Sequence, residues 1–173
     1  MWWRWRRFWH GRWRWRVLEH ELGERLRTRG LTLAVAESCT GGLLAMRITE
    51  VPGSSAYFRG GVVAYANDVK EHVLGVPSDV LRRFGAVSPE CARAMAEGAR
   101  RLLGADLALA TTGIAGPGGG TPDKPVGLVY VALATEREVR VRELRLVGSR
   151  QGNRWSASES ALALLAEHLG MES

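Results

Sequence analysis

Apolar positions at Val17, Leu18, Leu22 and Leu26 recur with helical spacing, and the run 31–36 that follows is apolar on both faces. The first pattern predicts a helix over 17–29, stopped by Gly30, and the second a short buried strand. Residues 43–50 read as a helix, 52–55 as a turn, and 57–66 as β-like, with Gly60-Gly61 marking a bulge or a close backbone approach. Short helices are expected over 68–74 and 79–84, the second capped by Ser78. Ser88 and Pro89 supply a cap and a first-turn proline for a longer helix ending near Leu103. Two more apolar runs, 107–111 and 127–135, read as buried strands. The alternating segment 138–147 reads as a half-exposed strand antiparallel to its predecessor, and 150–169 as a final amphipathic helix. Apolar strands separated by helices predict a three-layer α/β/α sandwich around a mixed, largely parallel sheet. Ligands in such folds sit at the carboxyl ends of the strands, where the loops 37–42 and 111–120 fall.

A chain of 173 residues fits one domain. The net charge of +6 suggests an acidic partner, but six arginines and no acid lie in 1–16, leaving the remainder neutral. No basic face is therefore expected on the fold, and no nucleic acid on the core. Segment 1–16 also holds six of the seven tryptophans. It reads as a disordered tail or a mis-assigned start, with a nucleic-acid or membrane-surface arm as the alternative; the fold is expected to start near Val17. A signal peptide is disfavoured, because there is no continuous apolar core or small-residue cleavage site. Two cysteines without a CxxC pair or a histidine cluster suggest neither a disulfide framework nor a metal site. With that cysteine usage a reducing cytoplasm is the default expectation, and no run of about 20 apolar residues exists, so no spanning helix is expected.

The chain carries 22 arginines and two lysines, Lys70 and Lys124. Arginine cannot act as a base; a buried lysine can. Lys70 follows Ser54, Ser55 and Tyr65, which suggests a Ser/Tyr/Lys hydrolytic site, with a solvated lysine near a helix start as the alternative. A histidine triad is poorly supported, since His20, His72 and His168 fall on predicted helices and no GxSxG elbow occurs. The loop Ser38-Cys39-Thr40-Gly41-Gly42 leads into a helix and reads as an anion site suited to phosphate, or as simple capping. The run Thr112-Gly113-Ile114-Ala115-Gly116-Pro117-Gly118-Gly119-Gly120 lets backbone approach a ligand, although its spacing is neither a Walker nor a Rossmann loop. Lys124, between Asp123 and Pro125, reads as a surface charge.

Five segments in order carry a resemblance: Ala36-Glu37-Ser38-Cys39-Thr40-Gly41-Gly42, Gly53-Ser54-Ser55 through Tyr65-Ala66-Asn67 to Lys70, Gly85-Ala86-Val87-Ser88, Gly113-Ile114-Ala115-Gly116-Pro117 with Gly119-Gly120, and Lys124-Pro125-Val126-Gly127. Over 18–169 the chain resembles the C-terminal domain of the competence-damage protein CinA and its stand-alone relatives, the nicotinamide-nucleotide amidases. The resemblance implies an amidase domain over 17–173 that hydrolyses nicotinamide mononucleotide to nicotinic acid mononucleotide and ammonia, without metal or cofactor, as a homodimer. It places Ser55 as nucleophile, with Ser54 as rival, and Tyr65 and Lys70 as its activators. Ser38, Thr40, Gly41, Gly42, Thr112, Gly113 and Gly116 are expected around the substrate. A family arginine near the start of the last helix is matched by Arg150 or Arg154. The rival expectations are a nucleotide-binding module without turnover, and nucleic-acid or membrane association through the tail.

Overall fold

In the computed structural model, which describes residues 15–171, one five-stranded sheet is covered by helices on both faces. Strands β1 (Leu33–Glu37), β2 (Phe58–Val63), β3 (Leu107–Gly113), β4 (Leu128–Ala134) and β5 (Val139–Arg145) lie in the order β2-β1-β3-β4-β5. The β2–β1 and β1–β3 pairings are parallel; β3–β4 and β4–β5 are antiparallel. Four strands therefore share one direction and β4 alone is reversed. The carboxyl ends of β1, β2, β3 and β5 all open at the same end of the molecule.

Strand alternation sorts large from small. Leu33, Val35, Leu107, Leu109, Val129, Val131 and Leu133 face α1 (Trp15–Arg29), α2 (Leu43–Thr49) and α6 (Arg150–His168). The residues between them, Ala34, Ala36, Ala108, Ala110, Ala132 and Ala134, face the other way. A sheet face built from methyl groups lets a helix approach closely. That helix is α5 (Pro89–Leu103), which packs Ala92, Met95, Ala96 and Ala99 into the same cluster. Its Gly98 runs against the chain after α3 (Asn67–His72); a Cβ there would lie 1.9 Å from the Leu74 carbonyl oxygen. Ser88 caps α5 through its hydroxyl, which accepts from the Cys91 amide at 3.1 Å, and Pro89 opens the first turn.

Several boundaries differ from the sequence reading. The turn at 52–55 becomes a short 3-10 helix at Ser54–Ala56. Ser78 does not cap α4 (Ser78–Arg83): it is inside the helix, and its hydroxyl donates to Glu71 Oε1 at 2.7 Å. Gly60-Gly61 mark both a bulge and a close approach. The β1–β2 register slips between Leu33 and Ala34, and a Cβ on Gly61 would lie 2.5 Å from Val35 Cγ2. Of the tail read over 1–16, residues 1–14 lie outside the described residues, and Trp15 and Arg16 belong to α1. Among the described residues no helix is long and apolar enough to cross a membrane.

A buried ionic cluster ties three helices on the large-residue face. Arg47 of α2, 2% exposed, donates to Glu19 Oε1 of α1 at 2.7 Å, and to Ser158 Oγ at 2.8 Å and Glu159 Oε2 at 2.5 Å of α6. Its guanidinium carbon stacks 4.5 Å from the Trp155 ring centre. Removing one partner of such a pair strands the other charge in a dry site. Arg47→Ala is expected to cost about 3–5 kcal/mol in urea unfolding. Arg47→Lys should recover little, because a point charge cannot serve two carboxylates, a hydroxyl and a ring together.

Candidate functional site

A cavity of about 270 Å³ opens where the carboxyl ends of the strands converge. Each strand delivers a different part of it. Ser38 follows β1, Tyr65 and Lys70 follow β2, Thr112 ends β3, the glycine-rich loop follows it, and Arg150 opens α6 just beyond β5. A larger surface cleft, about 330 Å³, lies between α5 and the β4–β5 turn. It is ringed by arginines and glutamates, and its one hydroxyl, on Thr135, has no lysine or histidine beside it in the lining.

Lys70 is the buried centre of the cavity, 1% exposed. Its Nζ lies 3.1 Å from Ser38 Oγ, 2.7 Å from the Ala64 carbonyl oxygen and 3.1 Å from that of Tyr65. Burial lowers its pKa below the ordinary lysine value, since the charged form loses its water. The ammonium form has three N–H donors for these three oxygens; when the amine is neutral, two N–H groups serve the carbonyls and the lone pair is left for the Ser38 hydroxyl proton.

The mouth is built by Arg150. Its Nη1 donates to the Gly116 carbonyl at 2.8 Å and its Nη2 to the Tyr65 hydroxyl at 3.0 Å. Two of five N–H donors are thus used, and three remain for a ligand. Tyr65 itself is 60% exposed at the rim. Thr112, 1% exposed, donates to the Ala86 carbonyl at 2.7 Å and so fixes the wall formed by Ala86 and Val87. Cys39 also lines the cavity, but burial pushes its thiol up to about 12, so it is not a thiolate nucleophile at neutral pH.

Several expectations need correction. Ser55, the expected nucleophile, is exposed and precedes β2, whereas Lys70 follows that strand. Six residues at about 3.3 Å each put roughly 20 Å of strand between the two ends. Ser54 is excluded by the same placement. The hydroxyl beside Lys70 is that of Ser38. The α2 start is no phosphate site either. The fully buried Glu37 carboxylate already accepts from the amides of Gly42 at 2.9 Å, Leu44 at 3.0 Å and Ala45 at 2.8 Å, and would repel a second anion there.

Thr40, Gly41 and Gly42 consequently do not line the cavity. The Thr40 hydroxyl shares a 2.6 Å hydrogen bond with Thr111, and Gly41 and Gly42 take the positive φ values, 58° and 95°, that shape the loop. Arg154 likewise serves structure. Its Nε and Nη2 donate to the Thr40 carbonyl at 3.2 and 2.7 Å, closing the loop from behind. Of the two candidate arginines, the cavity contains Arg150.

Two residues that sequence reasoning did not single out lie at the cavity or behind it. Asn67 lines it. Asn153, 2% exposed, holds the glycine-rich loop by donating to the Ala115 carbonyl at 3.0 Å and the Gly148 carbonyl at 3.2 Å. Glu37 carried a readable signal, an acid directly before a small-residue loop and a helix start; Asn153 carried none. No histidine lines the cavity. Among the described residues no group of three or more His, Cys, Asp or Glu could hold a metal ion.

Residues 16–169 match the family model described as the CinA C-terminal domain. A CinA-like protein of Geobacter sulfurreducens is 57% identical over 143 residues, covering 83% of this chain and 35% of that protein. One of Desulfovibrio desulfuricans is 52% identical over 155 residues, covering 88% and 36%. The chain spans 35–38% of the length of four curated relatives that it matches. Among solved structures, the competence-damaged protein (CinA) superfamily protein of Klebsiella pneumoniae superposes with a TM-score of 0.87 at 34% identity, covering 90% of this chain and 98% of that one. The competence/damage inducible protein CihA of Agrobacterium tumefaciens does so with a TM-score of 0.82 at 43% identity, covering 89% and 96%.

Proposed function

This chain belongs to the CinA C-terminal domain family, and from that premise we propose that it is an amidohydrolase that converts nicotinamide mononucleotide and water to nicotinic acid mononucleotide and ammonia. The observation that carries the reading is the fully buried Lys70 amine, 3.1 Å from the Ser38 hydroxyl at the floor of the cavity. A serine needs a base to attack an amide, and a desolvated lysine is one.

Ser38 Oγ attacks the carboxamide carbon while its proton passes to the Lys70 lone pair. The two remaining Lys70 N–H groups stay on the Ala64 and Tyr65 carbonyls and keep the amine aimed. Backbone amides of the glycine-rich loop hold the oxyanion. The C–N bond then breaks, and the Lys70 ammonium returns the proton to the leaving nitrogen, which departs as ammonia. Water, deprotonated by the now neutral Lys70, attacks the acyl carbon; Ser38 leaves with a proton and the carboxylic acid is released. The substrate's pyridinium disfavours a second positive charge nearby and so helps keep Lys70 neutral. Arg150 presents its free guanidinium donors to the phosphate, and Tyr65 holds that guanidinium in place. The homodimer implied by the family belongs to the same proposal.

The test is ammonia release from nicotinamide mononucleotide, from its riboside and from free nicotinamide. Charge-assisted bonds to phosphate contribute about 1.5–3 kcal/mol each, so kcat/KM for the riboside should fall roughly tenfold or more. Tight binding of the mononucleotide without ammonia release would replace the enzyme by a binding module.

A further inference from the structure

Three consecutive carbonyls in the segment before α5 each receive a side-chain hydrogen bond. Lys124 Nζ donates to Phe84 at 2.5 Å, Ser88 Oγ to Gly85 at 2.8 Å, and Thr112 Oγ1 to Ala86 at 2.7 Å. Ser88 belongs to the segment itself and Thr112 to β3. Lys124 reaches over from the 114–127 loop. The segment's Ala86 and Val87 form one wall of the cavity, and residues 113–119 form another. Among the described residues the Lys124–Phe84 bond is the hydrogen bond that joins loop to wall.

The loop can transmit that contact. Its tip is closed by Thr121 N–H to the Lys124 carbonyl at 2.8 Å and by Lys124 N–H to Thr121 Oγ1 at 3.0 Å. Its base is closed by Gly127 N–H to the Ile114 carbonyl at 2.7 Å. Between them Val126 packs onto Gly116 and Gly120, where added Cβ atoms would come within 2.6 Å of Val126 Cγ1 and 2.8 Å of its amide nitrogen. A shift at Lys124 is therefore passed to Gly116, a cavity residue. On the wall side, the amine sits 3.1 Å from where a Gly85 Cβ would project, and Gly85 has φ of +77°. The missing Cβ of Gly85 leaves the amine room over the backbone.

We propose that Lys124 is a positioning residue: a latch between the glycine-rich loop and the Ala86–Val87 wall that sets the spacing of the cavity for substrate capture, leaving the Ser38–Lys70 proton transfer untouched. Only the kinetic arm of its test rests on the amidase reading. Lys124→Met keeps the stem and removes the donor. Its expected effects are a rise in KM for nicotinamide mononucleotide of about tenfold with kcat within about threefold. Hydrogen exchange should accelerate at least about tenfold in 84–88 and 114–120, with the strands and α5 unchanged. Unchanged exchange in both segments would overturn the proposal whatever the kinetics, as would a loss of kcat at constant KM. Should the native protein release no ammonia, the amidase reading fails while the exchange comparison still decides the latch.

Discussion

Ser38→Ala is expected to lower kcat at least about a thousandfold, while Ser55→Ala leaves it within about twofold. The contrast follows from strand polarity. Ser38 leaves the carboxyl end of β1 and meets Lys70 Nζ at 3.1 Å, whereas Ser55 sits exposed ahead of the amino end of β2. Losing the attacking oxygen leaves only binding and oxyanion stabilisation, which accounts for the size of the drop. The fold should survive Ser38→Ala, because Lys70 keeps both carbonyl partners. A circular-dichroism melt near that of the native protein, together with kcat for both variants, makes the comparison complete. A large loss in Ser55→Ala, or retained turnover in Ser38→Ala, would reverse the assignment.

The second large effect is in pH dependence. Lys70 must be neutral to accept the Ser38 proton, so kcat should rise as pH rises through its pKa, which burial has moved below the ordinary lysine value. Lys70→Arg is charged at every pH and Lys70→Met has no base, so both should lose about 10²–10⁴ in kcat without a residual limb. Stability follows with the same sign. Between the folded and unfolded pKa values the unfolded chain binds the extra proton, so stability rises with pH across that window. The gain is complete above the unfolded lysine value and is lost as pH falls through the folded one. Urea unfolding at a series of pH values should show this slope in the native protein, and a flatter curve in Lys70→Met.

Much of the architecture was legible because period-2 alternation and capping residues act locally. The continuous apolar runs at β1, β3 and β4 announce buried strands, the alternation over 138–147 announces β5, and Ser88-Pro89 announces the start of α5. Lys70 stood out because an arginine-rich chain has little other use for a lysine there. What stayed hidden depended on long-range geometry. Adjacency in sequence drew Ser54 and Ser55 toward Lys70, but a whole strand separates them, and strand direction rather than sequence distance decides which hydroxyl reaches the amine. The loop at 38–42 resembled a phosphate cradle because the occupant of its helix start, Glu37, comes from the preceding strand. Arg150 and Arg154 are one helical turn apart, and only contacts made across the fold separate the ligand-facing one from the one spent on the Thr40 carbonyl. Lys124 read as a surface charge for the same reason: its partner, Phe84, lies 40 residues away.

The proposed reaction requires an acyl-enzyme on Ser38, formed under the action of Lys70. Acid-quenching the native protein during turnover of nicotinamide mononucleotide, followed by peptide mass spectrometry, tests it most directly. The expected result is a peptide containing Ser38 that is heavier by the substrate less ammonia, and no such species in Ser38→Ala. The adduct on the peptide containing Ser55, or steady turnover with no covalent species under conditions where its breakdown is slowed, would contradict it.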